Sequence, residues 1–271
     1  MTGSGNDFIL VDNRSGIIDA GRCRDLVRMS CRHKLSVGAD GLILIENDPE
    51  VDFSWRFFNA DGSEAEMCGN GARCAARFAH LSGIVNKSSM AFRTLAGVIE
   101  AEIIGDQVRI QTTPPRDLKL NLTVQSDGRS FLVHFINTGV PHVVVLLNSV
   151  ADLEITEVFR WGRALRYHDS FQPAGTNVNF VAVQDERHLM VRTYERGVED
   201  ETLACGTGAI ASALIAAAHQ RVNAPAQVQT HSRETLTIHF RRHGLEFTDV
   251  RLEGTAKVVY EGHLWDETLS A

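Results

Sequence analysis

Cys68-Gly69-Asn70-Gly71-Ala72 returns as Cys205-Gly206-Thr207-Gly208-Ala209 at an offset of 137 (205 − 68) in a chain of 271 residues. Three weaker echoes keep the same order at nearly the same offset. Gly38-Ala39-Asp40-Gly41-Leu42-Ile43 faces Gly175-Thr176-Asn177-Val178-Asn179-Phe180, and Gly5-Asn6-Asp7-Phe8 faces Gly139-Val140-Pro141-His142. Val98-Ile99-Glu100-Ala101-Glu102-Ile103 faces Thr235-Leu236-Thr237-Ile238-His239-Phe240. Solenoid repeats run about 20–50 residues, so a period this long implies two copies of a domain-sized unit.

Each copy reads as strands, one helix, then more strands. Residues 9–11, 42–46, 54–58, 94–104 and 108–112 have the composition of strands in the first half, as do 189–194, 236–240 and 255–260 in the second. After Gly71 the apolar positions recur at helical spacing and stop at Gly83. The run 209–218 is apolar on every side, which predicts a helix buried at the centre of its unit. The expected fold is α+β: two similar domains from internal duplication, each a mostly antiparallel sheet or barrel wrapped around a central helix. Pro114-Pro115 marks the boundary, giving domains 1–114 and 115–258, with a strand near 259–265 able to return to the first.

Composition removes several function classes. The 27 basic and 34 acidic side chains give a formal charge of -7, against the basic excess of a nucleic-acid binder. No stretch approaches the ~20 consecutive apolar residues of a membrane span, and no export signal is visible, so a cytoplasmic protein is expected. The five cysteines are an odd number in a chain that is not small, which disfavours a disulfide framework. Neither zinc-ligand spacing, an HExxH, a dinucleotide fingerprint nor a phosphate loop occurs, so no metal and no cofactor are expected.

Each CGxG turn sets a cysteine just before a helix, with glycines that let backbone approach a ligand. The first N–H groups of a helix are unpaired and lie at its positive end, so a carboxylate sits well there and a thiol is drawn toward thiolate. Two such turns, equivalent by duplication, would face each other across one cleft if the domains packed about a pseudo-two-fold axis. Opposed thiols suit removal of a proton from one face of a carbon and delivery to the other, which is stereochemical inversion. Arg73 is expected to lay its stem over apolar surface, Cys74 to be a packed helix residue, and Cys23 and Cys31 to lie in a polar helix-like segment, 21–33.

Taken in order, Gly3-Ser4-Gly5-Asn6-Asp7-Phe8, Phe58-Asn59-Ala60-Asp61-Gly62-Ser63 leading to Cys68-Gly69-Asn70-Gly71-Ala72-Arg73, Asn137-Thr138-Gly139-Val140-Pro141-His142, and Tyr194-Glu195-Arg196-Gly197 ahead of Cys205 closely resemble the diaminopimelate epimerase family. The resemblance spans nearly the whole chain. It implies interconversion of LL- and meso-diaminopimelate without a cofactor, in bacterial lysine and cell-wall synthesis, by a cytoplasmic homodimer. By motif position it makes Cys68 and Cys205 the acid/base pair, with His142 and Glu195 as the polar residues that assist them. Asn6, Asn59, Asn70, Asn177, Glu195 and Arg196 match substrate-binding side chains, with backbone donors at Gly69, Asn70, Gly206 and Thr207. The chain departs from the family's pattern at Val140, where many members have asparagine, and at Gly41, where others often have glutamine. These two positions keep open a racemase of another amino acid, of histidine or proline type, on the same fold.

Overall fold

The computed structural model describes residues 1–19 and 21–269. The chain divides into two compact units, 1–110 with 254–271, and 111–253. The first unit contains β1 (Thr2–Gly3), β2 (Asn6–Asp12), α1 (Cys23–Ser30), β3 (Gly41–Glu46), β4 (Phe53–Asn59) and β5 (Glu64–Ala65). It continues with α2 (Gly69–Leu81), β6 (Ser89–Thr94), β7 (Gly97–Ile104) and β8 (Gln107–Gln111). The second unit contains β9 (Arg116–Ser126), β10 (Arg129–Asn137), β11 (Pro141–Leu147), α3 (Val150–Glu154), α4 (Val158–Arg166) and β12 (Asn177–Val183). It is completed by β13 (His188–Glu195), β14 (Asp200–Thr202), α5 (Gly206–Ala218), β15 (Ala226–Gln229), β16 (Thr235–His243) and β17 (Glu246–Thr255).

Hydrogen bonding repeats the same path in both units. In the first, β2 runs parallel to β3, β3 antiparallel to β4, and β4 parallel to β6, followed by the antiparallel pairs β6–β7 and β7–β8. In the second, β11 runs parallel to β12, β12 antiparallel to β13, and β13 parallel to β15, followed by the antiparallel pairs β15–β16 and β16–β17. The sheets are thus mixed but mainly antiparallel, in two repeated halves, as the duplication implies.

The helix after each CGxG turn is the core of its unit. In α5 every residue from Gly208 to Ala218 is buried, and the helix contacts β10, β11, β12, β13, β15 and β16. Alanine at most positions lets strands close in on all sides, while Ile210, Leu214 and Ile215 each add roughly 1.5–3 kcal/mol of apolar burial. The α2 helix is buried along Asn70–Ala76 and at Ala79, and it contacts β1, β2, β3 and β7. It stops after Leu81, where Ser82 caps it and Gly83 turns with φ +70.

Several expectations are corrected. The segment 94–104 is not one strand: Thr94 ends β6, Leu95 and Ala96 turn the chain, and β7 runs back beside β6. Its alternating composition spans the turn, so pattern alone does not mark it. Residues 255–260 and 259–265 form no strand. β17 ends at Thr255, and the segment after it returns to the first unit through an isolated bridge, in which Thr2 N–H donates to Lys257 O and Lys257 N–H to Thr2 O, and through bonds of Ala256 to Arg77 and Asp106. The units also carry more than one helix each. The polar segment 21–33 contains α1, whose Cys23 and Val27 join the core with Leu42, Leu44 and Phe58. The second unit adds α3 and α4, amphipathic helices whose Leu153, Val158 and Leu165 pack with Val178, Phe180 and Tyr194.

Buried His134 meets half-buried His219 in the second unit. His134 sits where the β9–β10 register shifts, so Asn121 N–H donates to its Nδ1 at 3.1 Å instead of to the ladder. A backbone N–H can only donate, so Nδ1 accepts, and His219 Nε2, 3.2 Å away, must supply the second proton. Burial, and then the neighbouring His219, hold His134 at a pKa of about 4, and burial lowers His219 as well.

Two predictions follow from this packing. A Cβ on Gly208 would lie 2.4 Å from Asn179 Oδ1, whereas one on Gly71 would lie 3.2 Å from the flexible end of Ile43. Alanine in a helix interior normally adds ~0.5–1 kcal/mol of stability, but overpacking costs ~1–3 kcal/mol. Gly208→Ala is therefore expected to lower the thermal midpoint by a few degrees, and by more than Gly71→Ala does. The second concerns pH. The unfolded chain takes up a proton at each histidine below pH ~6.5, while the folded protein refuses one at His134 until about pH 4. This contribution is fully present above pH ~6.5 and is lost as pH falls toward 4. The midpoint is expected to drop over that window, with a shallower slope in His219→Gln.

Candidate functional site

The sequence-predicted residues fall into two half-sites, one in each unit, each built at the start of its central helix. Cys68 and Cys205 occupy the first turn-defining position of α2 and α5, both with extended backbone (φ -144 and -128), and neither side chain caps its helix by a hydrogen bond. The N–H groups at Gly69, Asn70, Gly206 and Thr207 therefore head the helices at their positive ends. Cys68 is half-buried and Cys205 is buried, with its Sγ 3.5 Å from Thr207 Oγ1. The remaining cysteines are packed: burial pushes the Cys31 thiol up to about 11, the Cys74 thiol up to about 12, and Cys23 upward as well.

In the first unit the asparagines converge at the strand ends beside Cys68. Asn70 Nδ2 donates to Asn6 Oδ1 at 2.8 Å, and Asn6 Nδ2 donates to Asp40 Oδ2 at 2.8 Å. The Ala60 N–H donates to Asp40 O, which brings the turn after Asn59 to the same edge. Asn59 is exposed and donates to Ser63 Oγ at 3.0 Å. The expectation for Arg73 is corrected. It is fully buried and donates to Ser4 Oγ at 2.7 Å and to Asn70 Oδ1 at 2.9 Å, so it orients Asn70 instead of covering apolar surface. The CGNGAR spacing puts Arg73 three residues after Asn70, on the same helix face.

In the second unit His142 and Asn177 are paired at the start of β11 and β12. Asn177 donates to Pro141 O at 3.0 Å and accepts from Arg196 N–H at 2.8 Å. Arg196 gives Nη1 to Ala174 O at 3.0 Å, which braces the guanidinium from behind. Glu195 accepts from Thr202 Oγ1 at 2.9 Å, and burial raises its pKa. His142 is fully buried, and burial, reinforced by the Arg196 cation, lowers its pKa to about 3, so the ring is neutral. Its Nδ1 faces Asn179 Nδ2 at 3.1 Å. Thr138 Oγ1 donates to Thr207 O at 3.0 Å and so ties the NTGVPH turn to the first turn of α5. Thr138, Asn179, Thr193 and Ser4 are site neighbours that pattern reading did not single out. For Asn179 the signal was a polar residue inside the otherwise apolar run 178–183.

The ladders also correct the repeat alignment. Phe8 opposes Gly41 as His142 opposes Asn177, so Gly41 is the counterpart of Asn177 and not of Val178. The loops joining the strands to the CGxG turns differ in length between units, and the sequence echo is one residue out in this segment. At Gly41 a Cβ would meet Phe58 O at 2.5 Å and the Phe57 ring at 2.7 Å, so the first unit fills with an aromatic edge the space a longer residue would need.

Among the described residues no three His, Cys, Asp or Glu side chains are grouped to hold a metal ion, and no helix is long and apolar enough to cross a membrane. The sequence profile described as diaminopimelate epimerase matches residues 1–117 and 134–258. Diaminopimelate epimerase of Aquifex aeolicus (strain VF5) is 50% identical, covering 99% of this chain and 98% of its own. That of Hydrogenobaculum sp. (strain Y04AAS1) is 45% identical, covering 97% and 96%. Among solved structures, a PhzF-family phenazine biosynthesis protein of Bacillus anthracis superposes with a TM-score of 0.70 at 14% identity, over 94% of this chain and 92% of that one. A hydroxyproline epimerase of Agrobacterium vitis superposes with a TM-score of 0.66 at 15% identity, over 94% and 86%, which shares the fold alone. With the profile matched in both halves and half of the residues shared with a full-length relative, the chain belongs to the diaminopimelate epimerase family of isomerases.

Proposed function

We propose that the protein interconverts LL- and meso-diaminopimelate by a two-thiol reaction that needs no cofactor. The observation that carries this reading is the duplication of the cysteine turn. Cys68 and Cys205 each begin a buried central helix, and each is surrounded by a different set of polar side chains. In one direction a thiolate at one cysteine takes the α-proton as the C–H bond breaks. The electron pair passes into the carboxylate, and the thiol of the other cysteine returns a proton to the opposite face. The residues exchange roles in the reverse direction.

The chain's own groups supply what an α-proton of low acidity requires. Charge gathers on the carboxylate in the transition state, and preorganised N–H donors at the helix starts, Gly69 with Asn70 and Gly206 with Thr207, suit it. The helix dipoles favour a thiolate at the same places. Asn6, Asn59, Asn70 and Asn177 offer amides for the amino-acid groups. Arg196, braced on Ala174 O, and Glu195 offer a charged clamp for the second head group of diaminopimelate. On this reading the protein serves lysine synthesis, works in the cytoplasm and forms a homodimer.

The test is exchange in deuterated water. Deuterium is expected to enter the α-position of diaminopimelate and not of histidine or proline. Label in histidine or proline alone would favour the racemase alternative. Cys68→Ser and Cys205→Ser are each expected to lower epimerisation by about 10²-fold or more, the range associated with a lost general acid or base. Unchanged turnover in either variant would refute the two-thiol assignment.

A further inference from the structure

The duplication provides an internal control for side chains buried behind the two cysteines. His142, Asn179 and Thr193 lie on β11, β12 and β13 and are buried, at 0%, 0% and 3% exposure. Their register runs His142 opposite Asn177, and Asn179 opposite Thr193. In the first unit Phe8 stands opposite Gly41, and Ile43 opposite Phe57. The counterparts of the polar trio are therefore Phe8, Ile43 and Phe57, all apolar, with the two phenylalanine rings edge-on at 5.8 Å. The same scaffold closes around an apolar trio, so folding does not call for the polar one. Buried polar groups persist where they are bonded and where they serve a purpose that apolar packing does not.

The bonds of the trio have only one consistent direction. Val143 O can only accept, so the NH2 end of Asn179 faces it at 2.9 Å. With the amide so placed, Thr193 Oγ1 donates to Asn179 Oδ1 at 3.0 Å and holds it there. That NH2 also meets His142 Nδ1 at 3.1 Å. An amide NH2 only donates, so Nδ1 accepts and the ring proton lies on Nε2. Nε2 is buried and has no hydrogen-bond partner among the described residues. Asn179 also abuts the cysteine turn. A Cβ built on Gly208 would meet Asn179 Oδ1 at 2.4 Å and Cys205 Sγ at 3.3 Å.

We propose that Asn179, oriented by Thr193, is a positioning residue that locks His142 as the neutral Nε2–H tautomer, a fixed hydrogen-bond donor in the Cys205 half-site. The donor suits negative charge developing on the thiolate or on the substrate carboxylate, and the Cys68 half-site, with Phe8 in the same place, has no equivalent. This inference rests on the two-thiol epimerisation proposed above. It accounts for the second glycine of CGTGA as the space that Asn179 needs.

The experiment combines a spectroscopic and a kinetic measurement on the full chain. With 15N-labelled histidine, His142 is expected to show a protonated Nε2 and an unprotonated Nδ1. Asn179→Asp replaces the donor by an acceptor and should move a proton to Nδ1. Asn179→Ile installs the first unit's residue and should leave the tautomer unpinned. Both are expected to lower kcat for diaminopimelate by about 10²-fold with KM changed less than about twofold. Thr193→Val, which removes only the orienting hydroxyl, should give a smaller loss in kcat with the same KM. Thermal midpoints separate unfolding from these effects, and Thr193→Val is the variant least able to disturb packing. A wild-type His142 protonated at Nδ1, or variants with unaltered kcat, would overturn the inference while leaving two-thiol chemistry standing. A wild-type protein without epimerisation would instead remove the reaction, and the nitrogen spectrum would still decide the tautomer.

Discussion

A thiol at the start of a buried helix constrains everything around it. The first N–H groups of such a helix need partners, yet neither cysteine caps its helix with its side chain. The turn is built instead from glycines and short polar residues, which leave the helix start accessible. The helix behind it must be narrow enough for strands to approach from every side, hence the alanines of α5 and the Ala72, Ala75, Ala76 and Ala79 face of α2. Parallel pairs β2–β3 and β11–β12 then bring their N-terminal ends to the cysteine turn, which is why Asn6 and Asn70, or His142 and Asn177, are neighbours despite their separation in sequence.

Much of this was legible from residues alone. The repeated CGxG marked both central helices because it joins two independent signals, glycines at a turn and an apolar run behind it. The strands beside them read correctly where their ends carried turn residues. The fold class followed from duplication with one period, which fixes the number of units without any knowledge of their packing. For the site, the cysteines stood out because each repeated CGxG turn opens a helix, whereas His142, Asn177, Glu195 and Arg196 were reached only through the resemblance of their motifs to a known family.

What was not legible depends on register or on long-range bonding. The turn at Leu95-Ala96 has strand-like neighbours on both sides, so only pairing distinguishes it. The short helices α3 and α4 carry just enough apolar residues to cover the outer face of β12 and β13, and their pattern is too brief to stand out. Arg73 reads as a helix cation whose stem covers apolar surface, yet its guanidinium reaches Ser4, whose backbone has φ 50 and which lies 69 positions away in the chain. Nothing local encodes that contact. The one-residue slip in the repeat alignment has the largest effect, because in a strand a single step exchanges the two faces. With the slip, Asn179 pairs with Leu42, on the wrong face. With the ladder register, it pairs with Ile43, and the substitution of a buried amide for a buried methyl becomes visible.

That substitution bears on why a duplicated protein should keep two unlike half-sites. Inversion at carbon treats the two faces alike, so a symmetric pair of thiols would suffice for the proton transfers alone. The substrate proposed here is not symmetric about the reacting carbon, since its amino, carboxylate and long side-chain substituents must each find a partner on one side. The first unit meets this with amides, Asn6 bonded to Asn70 and Asn70 to a buried Arg73. The second meets it with ionisable or ring groups, His142, Glu195 and Arg196, of which burial holds His142 neutral and raises the pKa of Glu195. A neutral imidazole donor stabilises charge developing in the transition state without introducing any of its own. The first unit closes the same sheet around Phe8, Ile43 and Phe57, where the second has His142, Asn179 and Thr193. The fold therefore does not require those three positions to be polar, which leaves the second unit's trio available for chemistry.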